Sequence, residues 1–304
     1  MKRLVVVIAL LAAGCGFGSG SPSGGKVTIR VTQDFGHSEL APAKSERSSD
    51  GETVMRLLQR NFTVETKYGG GFVQEIDGVS GGRAKGRQVD WFYYVNGVEA
   101  SNGAADHKVR PGDRVWWDHH DWGAAQRIPA VVGAFPEPFE SGINGKKLPI
   151  RLVCLGDAER SCDEVEERLQ QAGIHAIARS NLEQSPGEVL RVLVGAWPDV
   201  RKDIAAQQLE KGPQASGVFA KPSMDGRRIA LLDSRGGVQR TLGAASGLVA
   251  ATSFTDQQPT WLVTGTDEVG VAAAAAAVTE EQLRDRFALA IEAGKSVPLP
   301  IEAP

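Results

Sequence analysis

The hydrophobic pattern of the chain changes near residue 124, and this change constrains the fold more than any other feature. Before it, apolar residues alternate with polar ones in short stretches that end at glycine-containing turns, which is typical of β-strands. After it, strand-length apolar stretches alternate with helical patterns, which is typical of α/β domains. A chain of 304 residues is long enough for two domains. The sequence therefore predicts an α+β protein with a small mixed β domain at 26–123, a linker at 124–147 and an α/β domain with a mixed sheet at 148–304.

The first half is predicted to contain one short helix and several strands. The helix is expected over 51–60, where Thr53 can cap its first turn and an apolar stripe follows. Asn96-Gly97 is typical of a tight hairpin turn, because both residues tolerate positive φ angles. Strands are predicted over 27–31, 72–76, 91–95 and 114–117.

The order of these motifs resembles that of the transcobalamin-like C-terminal domain family of bacterial surface proteins. The resemblance covers residues 27–122 and rests on Gly51-x-Thr53-Val54-Met55-x-Leu57-Leu58, Gly71-Phe72-Val73, Ile76-x-Gly78, Trp91-x-Tyr93-x-Val95-Asn96-Gly97 and Pro111-Gly112-Asp113-x-Val115-x-Trp117. It implies a small mixed β domain with one short helix and a binding role. In the vitamin B12 carriers, a related domain closes over cobalamin. The resemblance implies no catalytic residue and no particular ligand.

Aromatic residues lie on both faces of the strand predicted over 91–95. Trp91 and Tyr93 share one face, and Phe92 and Tyr94 share the other. We expect the first pair to be core and the second to be partly exposed, unless another layer covers that face. Aromatic faces suit flat ligands. The candidate ligand-binding residues are Phe92, Tyr94, Trp117 and Trp122.

Three of the five histidines lie close together in the sequence, at His107, His119 and His120. Together with Asp118 and Asp121 they offer ligands suited to zinc. Adjacent residues on a strand point to opposite faces, so His119 and His120 can share one ion only if the segment is a loop. A metal site is one interpretation, and a solvated loop is the other.

The second half begins with an order of elements typical of a ferredoxin-like unit, β-α-β-β-α-β. A capping box at Ser161-Cys162-Asp163-Glu164 predicts the start of its first helix. Further helices are predicted over 199–211, 270–278 and 279–292. Strands are predicted over 148–154, 174–178, 189–194, 218–220, 228–232, 248–252 and 261–264.

The N-terminus predicts export and lipid anchoring. Lys2 and Arg3 precede an apolar run of ten residues, which is too short to span a bilayer but suits a signal peptide. The run ends in Leu11-Ala12-Ala13-Gly14-Cys15, which resembles the bacterial lipobox, although Ala12 stands where leucine is preferred. Residues 1–15 are therefore interpreted as signal peptide and lipobox, Cys15 as the lipidated residue, and 16–25 as a flexible tether. An ordinary cleaved signal peptide is the alternative.

The remaining cysteines, Cys154 and Cys162, form an even pair in an oxidising compartment. They flank a predicted strand-to-helix turn, so we expect a disulfide between them. Metal binding by the two thiolates is the weaker alternative.

Charge and motifs narrow the function. The chain has 34 Lys and Arg against 37 Asp and Glu, so it lacks the basic surplus of nucleic-acid-binding proteins. Gly265–Gly270 resembles a phosphate loop, but Val271-Ala272 stands where such a loop needs Lys and Ser or Thr. The backbone N–H groups at the start of the following helix could still hold an anion. No cofactor is predicted, and an enzyme is the less favoured class.

We therefore expect a lipid-anchored binding protein on the extracytoplasmic side of the cell membrane. Its ligand could be a flat or cofactor-like small molecule, a partner protein or a cell-wall component, and it could serve a transporter. The alternative is a metal-dependent envelope hydrolase that uses His107, His119 and His120.

Overall fold

A computed structural model describes residues 25–84, 86–184, 187–255 and 257–302. The predicted signal peptide, Cys15 and all of the predicted tether except Gly25 lie outside these residues. Within the described ranges, no helix has both the length and the apolar character needed to cross a bilayer.

The first half has nine strands and one α-helix in its described residues. Their bounds are β1 Lys26–Gln33, β2 Ser38–Arg47, α1 Val54–Asn61, β3 Val64–Lys67, β4 Phe72–Ile76, β5 Val79–Ser80, β6 Gly82–Ala84, β7 Arg87–Val95, β8 Val98–Glu99 and β9 Arg114–Asp121. The larger sheet has the order β2-β1-β9-β7-β6, with β8 paired to β7, and β3, β4 and β5 form a smaller sheet.

The local signals of the first half are confirmed. Helix α1 starts after Thr53, whose side-chain oxygen accepts a hydrogen bond from the Arg56 N–H at 3.3 Å. Its apolar stripe is buried in a core shared with Trp91 and Tyr93. Asn96 and Gly97 turn the chain with φ angles of 54° and 75°. Strand β2 was not predicted, because most of its residues are exposed or half-buried and show no clean alternation.

The second half has ten strands and six α-helices in its described residues. Their bounds are β10 Ile150–Cys154, α2 Glu159–Gln171, β11 Ile177–Ser180, β12 Leu190–Ala196, α3 Trp197–Val200, α4 Gln207–Lys211, α5 Pro213–Ser216, β13 Ala220–Pro222, β14 Ile229–Leu232, β15 Val238–Leu242, β16 Ser246–Thr252, β17 Thr260–Gly265, α6 Glu268–Ala276, α7 Glu280–Leu283, β18 Ala288–Glu292 and β19 Lys295–Leu299.

The main sheet of this half is mixed, as predicted, with the order β11-β10-β12-β17-β16-β18-β19. The pairs from β11 to β17 are parallel, and those from β17 to β19 are antiparallel. The ferredoxin-like start is wrong in its strand arrangement, because β11 and β12 both pair directly with β10 and in parallel. Strands β13, β14 and β15 form a separate antiparallel sheet. The α+β fold class with mixed sheets is confirmed.

Three helix predictions in this half need correction, in the start of the first helix, the continuity of the second and the length of the last. Helix α2 begins at Glu159, two residues before the predicted capping box, and has no side-chain cap. The predicted helix over 199–211 is broken into the short helices α3 and α4. The predicted helix over 279–292 has one turn, α7, and its remainder includes β18, which pairs with β16 and β19. There, burial between two strands overrides a helical pattern.

The disulfide between Cys154 and Cys162 is present, with the two Cα atoms 6.0 Å apart. It joins the end of β10 to the first turns of α2. The predicted linker at 124–147 forms no helix or strand, but Val131, Val132, Phe135 and Phe139 within it are buried against the second half.

Two layers cover the main sheet of the second half. Helices α2 and α6 pack on one face, in a core with Leu152, Val192 and Val263. On the other face, Leu193, Leu248 and Leu262 belong to a core that also contains residues of α3, α4 and β14 and, from the first half, Tyr94 and Trp116. The two halves therefore share one hydrophobic core.

Candidate binding sites at the junction of the two halves

The two faces of β7 are both covered. Trp91 and Tyr93 are buried in the core of the first half, as predicted. Tyr94 is fully buried between the halves, where its ring lies 5.5 Å from that of Phe287. The expectation that Tyr94 is exposed is therefore wrong, because the second half supplies the covering layer.

The other candidate aromatic residues have different environments. Trp117 is buried on the first-half face, where it stacks on Tyr93 at 4.9 Å. Phe92 is half-buried and stacks on the His120 imidazole at 4.5 Å. Trp122 is half-buried, and its Nε1 donates to Asp90 Oδ2 at 2.9 Å. The four residues do not form one exposed aromatic platform.

The predicted metal cluster does not form either. His119 and His120 lie on strand β9 and point to opposite faces, so the solvated-loop interpretation is also wrong. His119 Nε2 donates to the Ser80 carbonyl at 3.2 Å, whereas His120 Nδ1 lies 2.8 Å from Asp118 Oδ1. His107 belongs to the loop before β9. Across the described ranges, no group of three metal-ligating side chains is found.

Asp118 is a buried carboxylate with four hydrogen-bond partners. Its oxygens accept bonds from the backbone N–H groups of Phe35 at 3.0 Å and Gly36 at 2.9 Å, and from the Thr32 hydroxyl. His120 Nδ1 is the fourth partner. A buried carboxylate requires such compensation, so Asp118 fixes the backbone between β1 and β2.

This backbone segment, Asp34–Gly36, is here called the junction turn. Its three residues have φ angles of 53°, 60° and 79°. Positive φ is strained for residues other than glycine and persists only where the surroundings enforce it. The Phe35 ring is buried between the halves, 4.6 Å from the ring of His120, 5.0 Å from that of Phe219 and 5.3 Å from that of Phe287. The junction turn therefore belongs to the first half and inserts the Phe35 side chain into the second half.

A cleft of about 520 Å³, here called the junction cleft, opens beside this turn. Its apolar part consists of Phe35, Pro300 and Ile301. Its charged and polar lining consists of Asp34, His37, Ser38, Arg87, Asp233, Ser234, Arg235 and Glu302. The volume lies within the usual range of small-molecule sites.

The charged groups of the junction cleft differ in how they are paired. His37 Nε2 donates to the Pro300 carbonyl at 2.9 Å, and its Nδ1 lies 3.5 Å from Glu302 Oε1. Asp233 accepts bonds within its own turn, from the N–H groups of Arg235 and Gly237, each at 2.9 Å. In the described part of the chain, no ion pair to the guanidinium of Arg87 or Arg235 is found. Two cationic groups are therefore available to a ligand.

A second concave region, here called the His107 groove, consists of two cavities of about 210 Å³ and 370 Å³. Both are lined by Ser101, Asn102, His107 and Asn144. Burial lowers the pKa of His107 below its usual value, which favours the neutral imidazole. Burial also raises the pKa of Glu99 to about 7, an effect that the nearby Arg127 guanidinium partly offsets.

The turn at Gly265–Gly270 is not an anion site in this structure. Asp267 Oδ1 accepts a bond from the Gly270 N–H at 2.9 Å, and its Oδ2 accepts one from the Ala245 N–H at 2.7 Å. The chain's own carboxylate thus occupies the position that a bound anion would take.

The lining of the junction cleft was missed by sequence reasoning. Arg87, Arg235 and Glu302 come from distant segments and share no motif. One signal was available: Asp118 and His120 are two residues apart and share a face if the strand predicted over 114–117 continues, and buried polar residues need partners.

The comparisons with known proteins cover only part of the chain. Residues 51–121 match the family described as a domain of unknown function, DUF4430. A crystal structure of a candidate metal-binding protein from Ruminococcus gnavus is similar at 15% identity, over 32% of this chain and 97% of that chain, with a TM-score of 0.26. This likeness is too weak to inform the ligand. None of the curated proteins matches this chain.

Proposed function

We propose that this chain is a lipid-anchored extracytoplasmic binding protein that holds a small zwitterionic ligand, such as an amino acid or short peptide, in the junction cleft. The observation that carries the proposal is that two guanidinium groups, Arg87 and Arg235, have no ion-pair partner among the described residues and line a cleft whose wall is the junction turn. Strained turns with non-glycine residues at positive φ cluster at ligand sites.

The charges of the cleft favour a ligand that carries both signs. Arg87 and Arg235 suit a carboxylate, because guanidinium groups recognise carboxylates with paired hydrogen bonds. Asp34 and Glu302 line the same cleft and suit an ammonium group. Pro300 and Ile301 supply an apolar surface for a side chain. A flat ligand on the aromatic strand is not favoured, since Tyr94 and Trp117 are buried.

The proposed location rests on the sequence. The apolar run before Cys15 and the Gly- and Ser-rich segment after it support a lipid anchor and a tether. The disulfide between Cys154 and Cys162 is in keeping with an oxidising compartment. No specific observation favours the alternative hydrolase, since its three histidines do not form a group of metal ligands within the described ranges.

Calorimetric titration with a defined dipeptide tests the proposed function. We expect alanyl-phenylalanine to bind, and its N-acetylated and C-terminally amidated forms to bind at least about tenfold more weakly, because each loses one charged contact. Arg87→Gln and Arg235→Gln should remove the preference for the free carboxylate. Equal binding of all three peptides, or no binding of any, would contradict the proposal.

A further inference from the structure

Five cationic side chains surround the point where the predicted tether joins the first half, and they are here called the basic band: Lys26, Arg47, Lys108, Arg110 and Lys147. Lys26 and Arg47 lie directly opposite each other on β1 and β2, and like charges in such a pair repel each other. Within the described residues, no carboxylate forms an ion pair with any of the five. The band therefore carries positive charge that the chain does not fully compensate.

Contacts of the backbone place the start of the described chain inside this band. The Gly25 carbonyl accepts a hydrogen bond from the Ser48 N–H at 3.2 Å, and the Lys26 carbonyl accepts one from the Gly112 N–H at 2.8 Å. Gly25 also lies against Pro111, since a Cβ atom at Gly25 would be 2.6 Å from the Pro111 Cβ. The chain that leads from Cys15 therefore reaches the first half within the basic band.

The band continues from the first half onto the linker. Arg110 Nη1 donates to the Lys108 carbonyl at 3.5 Å. The Arg110 side chain also lies against Gly145, where a Cβ atom would be 2.5 Å from the Arg110 Nε. Lys147 follows Gly145 by two residues and is exposed. The five cations thus form one continuous surface.

The carboxylates near the band neutralise it only in part. Asp113 is buried and accepts bonds from Asn96 Nδ2 at 3.0 Å and from the Arg110 backbone N–H at 2.8 Å. Glu188 forms an ion pair with Lys146. The exposed carboxylates beside the band are fewer than its cations: Asp50, Asp106 and Glu140.

We infer that the basic band docks on the surface of an anionic lipid membrane, the one to which the proposed lipid anchor attaches the chain. This inference rests on that anchor. Nine residues separate Cys15 from Gly25, so Gly25 lies within about 35 Å of the lipidated cysteine even at full extension. Anionic lipids attract Lys and Arg side chains that lie within a Debye length of the surface. Basic residues beside a lipid anchor thus supply a second membrane signal.

Docking of the band would also orient the junction cleft. Strand β1 runs from Lys26, in the band, to Gln33, and the junction turn follows it. Because a strand rises about 3.3 Å per residue, the turn lies about 26 Å from the band along β1. The lipid would retain the chain, and the band would keep the cleft at the end of β1 that is farther from the membrane.

The test is amine labelling of the lipidated protein on vesicles, measured for each lysine by mass spectrometry. One set of vesicles contains phosphatidylcholine alone, and the other contains phosphatidylcholine and phosphatidylglycerol in equal parts. We expect Lys26, Lys108 and Lys147 to be labelled about fivefold more slowly on the anionic vesicles. Salt at about 1 M, where the Debye length is about 3 Å, should abolish this difference.

Lys295 is the internal control. It is exposed on β19, and four strands lie between β19 and β10, the strand that begins just after Lys147. Its labelling rate should be the same on both kinds of vesicle.

A pair of double variants separates contact with the lipid from mere proximity to it. Arg47→Gln combined with Lys108→Gln removes two charges of the band, so Lys26 and Lys147 should be labelled faster on the anionic vesicles. Arg227→Gln combined with Lys295→Gln removes two exposed charges of the second half and should leave the protection of Lys26 and Lys147 unchanged.

The outcomes distinguish the band from the anchor. Equal labelling of the band lysines on both kinds of vesicle, or full protection in the Arg47→Gln and Lys108→Gln double variant, would overturn the inference and leave the anchor intact. A protein that fails to float with either kind of vesicle would refute the anchor, and the inference with it.

Discussion

The carboxylate of Asp118 accepts a hydrogen bond from the backbone N–H of Phe35 at 3.0 Å, across 83 positions of sequence. One residue is buried on a strand of the first sheet, and the other inserts between the halves. The contact therefore links three features: the strained junction turn, the packing of the two halves and the wall of the junction cleft.

Asp118→Asn should destabilise the protein by about 3 kcal/mol, because an amide group would face N–H and O–H donors that now bond to a carboxylate. Urea unfolding followed by tryptophan fluorescence measures this change. The control is Asp50→Asn at an exposed turn, which should cost less than about 0.5 kcal/mol. Equal stabilities of the two variants would contradict the structural role of Asp118.

Gly36→Ala tests the fit of the junction turn. A Cβ atom at Gly36 would lie 2.2 Å from the Asp285 carbonyl oxygen, and the residue has a φ of 79°. Gly51 also has a positive φ, 66°, but open space around its Cβ position. Gly51→Ala should therefore cost about 1 kcal/mol from backbone strain alone.

Gly36→Ala should cost a further 1–3 kcal/mol, approximately, from the steric clash. Thermal unfolding of both variants provides the measurement. If the two alanine variants were equally stable, the turn would not be inserted as the structure describes.

How far the sequence predicts this fold depends on whether a signal is local. Thr53, Asn96-Gly97 and the alternation of Trp91 and Tyr93 are local signals, and all three predictions are confirmed. Tyr94 could not be assigned, because it is covered by the ring of Phe287, nearly 200 residues away. The same limit explains β18, which pairs with β16 and β19, and the junction cleft, whose lining residues come from both halves.

Glu99 should make stability depend on pH. Its pKa is raised by burial from 4.5 to about 7, so the native state holds its proton more tightly than the unfolded state. The stabilising proton is present below pH 4.5, and its contribution falls as the pH rises through 7. The full change amounts to about 3 kcal/mol.

Glu99→Gln should remove this contribution while keeping a hydrogen-bond acceptor for Arg127. The variant should match the wild type near pH 4 and be more stable at pH 8, by up to about 3 kcal/mol. Urea unfolding at both pH values measures the difference. The same stability difference at pH 4 and pH 8 would refute the assignment.

Cys15→Ser tests the predicted anchor. Without the thiol no lipid can be attached, so the exported protein should move from the membrane fraction to the soluble fraction. Cell fractionation with immunodetection measures the distribution, and Cys154→Ser with Cys162→Ser serves as the cysteine control. A Cys15→Ser protein that stays in the membrane fraction at the wild-type level would show that the lipobox interpretation is wrong.

The most direct test of the central claim uses the exported protein, purified from the cell envelope without denaturation. Its mass is measured by native mass spectrometry, and its crystal structure is determined. We predict that the native mass includes a bound ligand. In the crystal structure, this ligand should lie in the junction cleft, with its carboxylate within hydrogen-bond distance of Arg87 and Arg235. The Arg87→Gln variant, purified in the same way, should have a native mass without the ligand. A ligand bound elsewhere would contradict the proposed site. So would a junction cleft that holds only water in protein whose native mass includes a bound ligand.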